Sequence, residues 1–137
     1  MEFVVKIARA IIVKGENILL CNNLVAGHYF LPGGHVEVGE TPEITLKREM
    51  VEELGFEPTE IKFLLDFPNT YTKNGIVFDE VATIFLAKIN RDEVTSREKQ
   101  IAFEWMPINN LSTINFKPKQ SAGDIMMSIE ENKDFWI

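Results

Sequence analysis

Apolar and β-branched residues dominate positions 4–13, Gly15-Glu16-Asn17 supplies turn chemistry, and an apolar run resumes over 18–21. This pattern predicts two strands joined as a hairpin. Positions 22–39 show little periodicity and concentrate glycine around Pro32, so a loop with unusual backbone geometry is expected there. Over 41–54 the helix signals agree: Thr41 is placed to cap, Pro42 occupies the first helical position, acidic Glu43 lies in the first turn, and Gly55 follows the end. Downstream, 61–67 and 76–89 read as strands, with a Lys73-Asn74-Gly75 turn able to close a hairpin. A charged connection over 91–100 leads to a short strand over 101–106 that ends at Pro107. Positions 118–131 predict a second helix with Ile125, Met126 and Ile129 on one side. Hairpins mixed with strand-to-helix passages point to an α/β fold, a mixed sheet covered by helices on its faces.

Composition narrows the setting. A chain of 137 residues, 45% hydrophobic and 26% charged, is expected to form one domain over 1–137 with an ordinary core. The formal net charge of −7 argues against a non-specific grip on a polynucleotide backbone. An anionic substrate would therefore need metal ions or a local basic pocket. Cys21 is the only cysteine, which excludes an intramolecular disulfide and a zinc cluster built on several thiolates. The first fifteen or so residues are apolar in bulk, but Lys6 and Arg9 interrupt them and no small-residue cleavage site follows, so they read as a strand and not a signal peptide. No apolar run approaches the roughly 20 residues needed to span a bilayer. No membrane partner and a cytoplasmic location are expected.

At about 100° per residue, Glu49, Glu52 and Glu53 share one arc of the first helix, while Leu46, Met50 and Leu54 form a neighbouring stripe. An acidic helix face is most often a solvated surface. Here, however, like charges at i,i+3 and i,i+4 cost about 0.2–0.5 kcal/mol per pair. Arg48 offsets Glu52 but not all three. Hard divalent cations prefer carboxylate oxygen, and Mg²⁺ is typically held by one or two carboxylates plus water and substrate phosphates. The preceding Leu31-Pro32-Gly33-Gly34 lets the backbone approach the helix and offers carbonyl ligands.

The segment GGHVEVGETPEITLKREMVEELGF, residues 33–56, resembles the signature of the Nudix hydrolase family (MutT-like). Gly34, Glu40, Arg48, Glu49, Met50, Glu52, Glu53, Gly55 and Phe56 fill every specified position at the required spacing. The resemblance implies an α/β/α sandwich with a mixed sheet between helices, in which the signature binds metal and pyrophosphate. It implies that Glu52 and Glu53 are metal ligands, Glu49 a ligand or general base, and the Gly33 carbonyl a further ligand. Arg48 would orient a glutamate through a charge-assisted hydrogen bond, and Glu40 would lie in an outer layer. A later carboxylate is expected to assist, with Glu98 the first candidate and Glu104 the reserve. The implied cofactor is Mg²⁺, or Mn²⁺ in its place, and the implied activity is metal-assisted hydrolysis of a phosphorus anhydride bond.

The signature specifies the bond and leaves open the group attached to the diphosphate. Tyr29, Phe30 and Tyr71 are candidate substrate-binding residues; Tyr29 and Phe30 are equally suited to packing, and Tyr71 fits better as a strand end beside the Asn74-Gly75 turn. His35 falls at an unspecified position and reads as solvent-facing or at the edge of the substrate. The expected partner is a small nucleotide, a nucleoside triphosphate or nucleotide sugar, with homodimers frequent among similar proteins. Two alternatives stand beside this reading: a dinucleoside-polyphosphate hydrolase, and a regulatory module that binds nucleotide without turnover. The intact acidic helix argues against the module.

Overall fold

The computed structural model describes residues 2–137. Seven strands and two α-helices follow one another as β1 (Glu2–Lys14), β2 (Asn17–Asn23), β3 (His28–Phe30), β4 (Gly33–His35), α1 (Pro42–Leu54), β5 (Glu60–Lys73), β6 (Ile76–Lys88), β7 (Ile101–Pro107) and α2 (Ala122–Glu131). The strands form one mixed sheet with β1 at its centre. β1 runs parallel to β6 over most of its length and antiparallel to β2 and β4. β5 and β6 form a long antiparallel hairpin, and β2 carries β3 on one side and β7 on the other.

Alternation along the central strands explains why both faces are covered. In β1, Ile11 and Val13 face one apolar cluster while Ala8, Ala10 and Ile12 face another, and in β6 Ala82, Ile84 and Leu86 are divided from Phe85 and Ala87 in the same way. Successive strand side chains point to opposite faces, so a strand buried on both must be apolar at nearly every position. α1 covers one face with Leu46, Met50 and Leu54. α2 covers the other with Ala122, Ile125 and Ile129. This is the expected α/β/α sandwich.

The expected helix over 41–54 forms with the expected cap. Thr41 accepts from the Ile44 amide at 3.2 Å through its hydroxyl, and Gly55 ends the helix at φ 88°, its amide donating to Val51 O at 2.9 Å. Three expectations are corrected. The segment 22–39 is not all loop: β2 continues to Asn23, and β3 and β4 form within the segment because β2 and β1 offer edges to pair with. The strand expected over 61–67 continues to Lys73, through Pro68, because every residue from Leu65 on finds a partner on β6. The second helix begins at Ala122 and not Pro118, with a short 3₁₀ turn, Lys119–Ser121, before it.

Candidate active site

Capping at Thr41 and Gly55 fixes the rotation of α1, so burying Leu46 and Met50 turns Arg48, Glu49, Glu52 and Glu53 away from the core. Arg48 is the organising cation. Its Nε donates to Glu40 Oε2 at 2.6 Å and its Nη2 to Glu40 Oε1 at 3.0 Å, a two-point fork. Nη2 also donates to the His35 carbonyl at 3.1 Å, and Nη1 donates to Glu49 Oε1 at 3.0 Å and Glu52 Oε2 at 3.2 Å. Glu40 Oε1 further accepts from the Glu37 amide and the Thr45 hydroxyl. The fork from Arg48, with the Glu37 amide next, holds the Glu40 carboxyl down at about 2, and the same bond raises the Arg48 pKa further.

Glycine is required where the loop passes the helix. A Cβ on Gly34 would enter the space of the Glu49 carboxylate. A Cβ on Gly33 would run into the Ala8 carbonyl, and the Gly33 φ of 145° is itself a conformation that other residues rarely adopt. β4 thus lies against both β1 and the acidic face of α1.

Glu53 differs from its neighbours. Burial first, then the charge of Glu49 and a hydrogen bond to it, and then Glu98, push the Glu53 carboxyl well above the usual range, to about 8, while Arg9 pulls the other way. Glu53 is thus held in its protonated form beside Glu49, which Arg48 grips from the other side. Such a donor set, hard oxygen with uncompensated negative charge beside a close-approaching backbone, suits a hard divalent cation. No group of three or more His, Cys, Asp and Glu side chains among the described residues is arranged to hold a metal ion as it stands. Glu52 accepts from Arg48, and Glu53 is hydrogen-bonded to Glu49.

The remaining candidates fall in distinct places. Glu98 is exposed on the connection after β6, which is tied to α1 where the Arg97 amide donates to Glu53 O at 3.0 Å, and its charge reaches Glu53. Glu104, on β7, accepts from Asn22 Nδ2 at 2.8 Å and is hydrogen-bonded to Tyr29. A cleft of about 740 Å³ opens between the β1, β5 and β6 face of the sheet and the segment 116–128, and both Phe30 and Tyr71 line it. Tyr29 does not: neighbouring strand residues face opposite ways, and its ring packs against the core under α2.

Sequence reasoning missed Arg9 as a site residue. It lines the cleft, donates from Nη1 to the Leu31 carbonyl at 3.2 Å, and stands over the Phe30 ring at 5.4 Å. Burial lowers its pKa, opposed by nearby acidic groups that include Glu80, Glu53 and Glu49. Arg9 is therefore the electrostatic link between the acidic helix and the cleft. Its signal in the sequence is a lone cation inside a buried apolar strand.

A capped acidic helix braced by an arginine fork, facing a glycine turn on a mixed sheet, defines a class of phosphate-handling α/β enzymes. The NUDIX domain model matches residues 5–126, and the chain belongs to that family of hydrolases. It is 32% identical over 121 residues to an ADP-ribose pyrophosphatase of Methanocaldococcus jannaschii, a match covering 85% of this chain and 69% of that protein. The structure superposes on a MutT NUDIX hydrolase from Burkholderia pseudomallei with a TM-score of 0.75 and 27% identity, covering 88% of this chain and 96% of the other. A MutT protein from Methanosarcina mazei Go1 shares the fold, with a TM-score of 0.73 at 18% identity over 96% of this chain and 97% of that one. Among the described residues no helix is long and apolar enough to cross a membrane.

Proposed function

We propose that this chain is a Mg²⁺-dependent pyrophosphohydrolase that cleaves a nucleoside diphosphate linked to another moiety, a nucleoside triphosphate or a nucleotide sugar. The observation that carries this reading is the gathering of Glu49, Glu52 and Glu53 on one face of α1, with Arg48 bonded to Glu49 and Glu52 and Glu53 buried beside Glu49. Glu49, Glu53 and Glu52 would hold the cation, with Glu98 and the Gly33 carbonyl as further donors. When bound, Mg²⁺ neutralises the diphosphate and lowers the pKa of the attacking water. Glu49, a ligand or general base in the family signature, would accept the proton of that water at its carboxylate oxygen. Arg48 keeps Glu49 oriented and cannot lose its charge. Arg9 supplies a fixed positive charge at the end of the cleft nearest the acidic helix, where Glu49 and Glu53 act on it.

The Methanocaldococcus jannaschii relative, an ADP-ribose pyrophosphatase, supports a nucleotide-sugar type of substrate. A cleft lined by Phe30 and Tyr71 suits a planar base or a sugar face. The test is release of phosphate, pyrophosphate or nucleoside monophosphate from a panel of nucleoside triphosphates, dinucleoside polyphosphates and nucleotide sugars including ADP-ribose, with Mg²⁺ and with EDTA. Mg²⁺-dependent product from at least one member is expected. A blank across the panel would replace hydrolysis with nucleotide binding alone.

A further inference from the structure

The floor of the cleft is laid out in rows by strand register. Arg9 pairs with Ile84 and Leu65 with Ile84 across the other side, then Ile7, Ala82 and Phe67 form the next row on this face, then Val5, Glu80 and Asn69, then Phe3, Phe78 and Tyr71. Rows on one face are two residues, or about 6.7 Å, apart. This sheet face therefore begins at the cation that feels the acidic helix, crosses an apolar row, meets Glu80 two rows on, and ends on a ladder of rings of which Tyr71 lines the cleft. In that ladder Tyr71 stacks on Phe78 at 5.2 Å and 15°, and Phe78 on Phe3 at 5.8 Å and 23°.

Glu80 stands on this face in the electrostatic field of Arg9, but no described side chain donates a hydrogen bond to it. It is half-buried and lines the cleft, yet its carboxylate accepts no hydrogen bond and forms no ion pair with any described residue. Its neighbour Asn69 is already engaged across the cleft, where its Oδ1 accepts from Gln120 Nε2 at 2.9 Å. A half-buried carboxyl group whose oxygens accept no hydrogen bond gains from a ligand that brings donors to it. Two adjacent donors satisfy both of its oxygens, as they do in bidentate recognition.

We propose that Glu80 is a specificity-determining residue that accepts a pair of adjacent donors on the group carried by the substrate diphosphate. Two such pairs exist in nucleotide chemistry: the ring N–H and exocyclic amino group of a guanine-type base, and the vicinal hydroxyls of a ribose. Arg9 and Glu80 line the same cleft two rows apart, so a ligand whose diphosphate meets Arg9 can turn its base or sugar toward Glu80. This inference rests on the hydrolase reading for the place of the diphosphate, and binding without metal separates the two.

Titration of GMP, IMP and ADP-ribose into the protein in EDTA, where turnover is switched off, tests it in the parental chain and in Glu80→Gln, which keeps shape but replaces half of the acceptor pair with a donor. If the base is read, the parental protein binds GMP roughly tenfold or more tightly than IMP, which lacks the exocyclic amino group, and the variant loses that preference. If the ribose is read, ADP-ribose affinity drops roughly tenfold or more in the variant while GMP and IMP stay alike in both proteins. Equal thermal melting of the two proteins, with Glu80→Val as a second variant, separates recognition from folding. Affinities for all three ligands within about twofold of the parental values, or no binding of any ligand by the parental protein, would overturn the proposal. A protein that shows the Glu80-dependent preference but hydrolyses nothing with Mg²⁺ would defeat the hydrolase reading and leave Glu80 in its role.

Discussion

Arg48 grips Glu40 with two parallel hydrogen bonds, of 2.6 and 3.0 Å, and with the rest of the same guanidinium holds Glu49 and Glu52. One side chain thereby ties the entry loop to the acidic face of α1. A lysine would keep the charge but could not serve these carboxylates from a planar fork. Arg48→Lys is therefore expected to leave the fold intact and to weaken Mg²⁺ affinity or activity by about 10- to 100-fold, the usual effect of losing a residue that orients a ligand. Circular dichroism and a Mg²⁺ titration of activity check this. Parental Mg²⁺ dependence in the lysine variant would mean that the fork has no orienting role.

The two loop glycines fail in different ways. Gly33→Ala forces a side chain against the Ala8 carbonyl at a φ of 145°, so a loss of about 1–3 kcal/mol in stability is expected from backbone strain. Gly34→Ala pushes on the Glu49 carboxylate, a side chain able to move. Its expected effect is a smaller change in melting temperature with a larger loss of turnover. Urea unfolding and steady-state rates on both variants measure the contrast, and equal losses in both quantities for both variants would contradict it.

Much of this was legible because local signals carried it. Thr41, Pro42 and Gly55 mark α1 through backbone chemistry that acts within a few residues, and burial of Leu46 and Met50 then determines which way Glu49 and Glu53 face. β3 and β4 were not legible. They are three residues each, and they are strands because β2 and β1 present partners distant in sequence. Tyr29 and Phe30 were equal as sequence letters, and only the strand they occupy separates the packed ring from the cleft-lining one. Arg9 was noticed as an interruption of an apolar run. Its meaning needed the cleft, which is assembled from β1, β5, β6 and the segment before α2.

Protonation supplies a further prediction. In the metal-free protein Glu53 holds its proton up to about pH 8, whereas in the unfolded chain it releases it near the ordinary value of 4.5. The folded state binds the extra proton between those values, so this group's contribution to stability is complete below about pH 4.5 and is lost as pH rises to about 8. Glu40 acts oppositely: its carboxyl titrates at about 2 when folded, so its contribution is present above about 4.5 and is lost as pH falls toward 2. A cation bound by Glu53 must displace its proton. Calorimetry in buffers of different ionisation enthalpy should show proton release on Mg²⁺ binding near neutral pH, and Mg²⁺ should raise the melting temperature more at about pH 9 than at about pH 6. Binding without proton release would place the cation elsewhere.

The central claim, that the Glu49–Glu53 pair is the seat of metal-assisted hydrolysis, is tested most directly by Glu53→Gln. The measurement is the rate of Mg²⁺-dependent product release from the best substrate of the nucleotide panel, for parental and variant proteins at matched concentration and equal thermal stability. The glutamine offers no charged oxygen to a cation, so a loss of roughly 100-fold or more is expected. Turnover at the parental rate with the parental Mg²⁺ dependence would contradict the account.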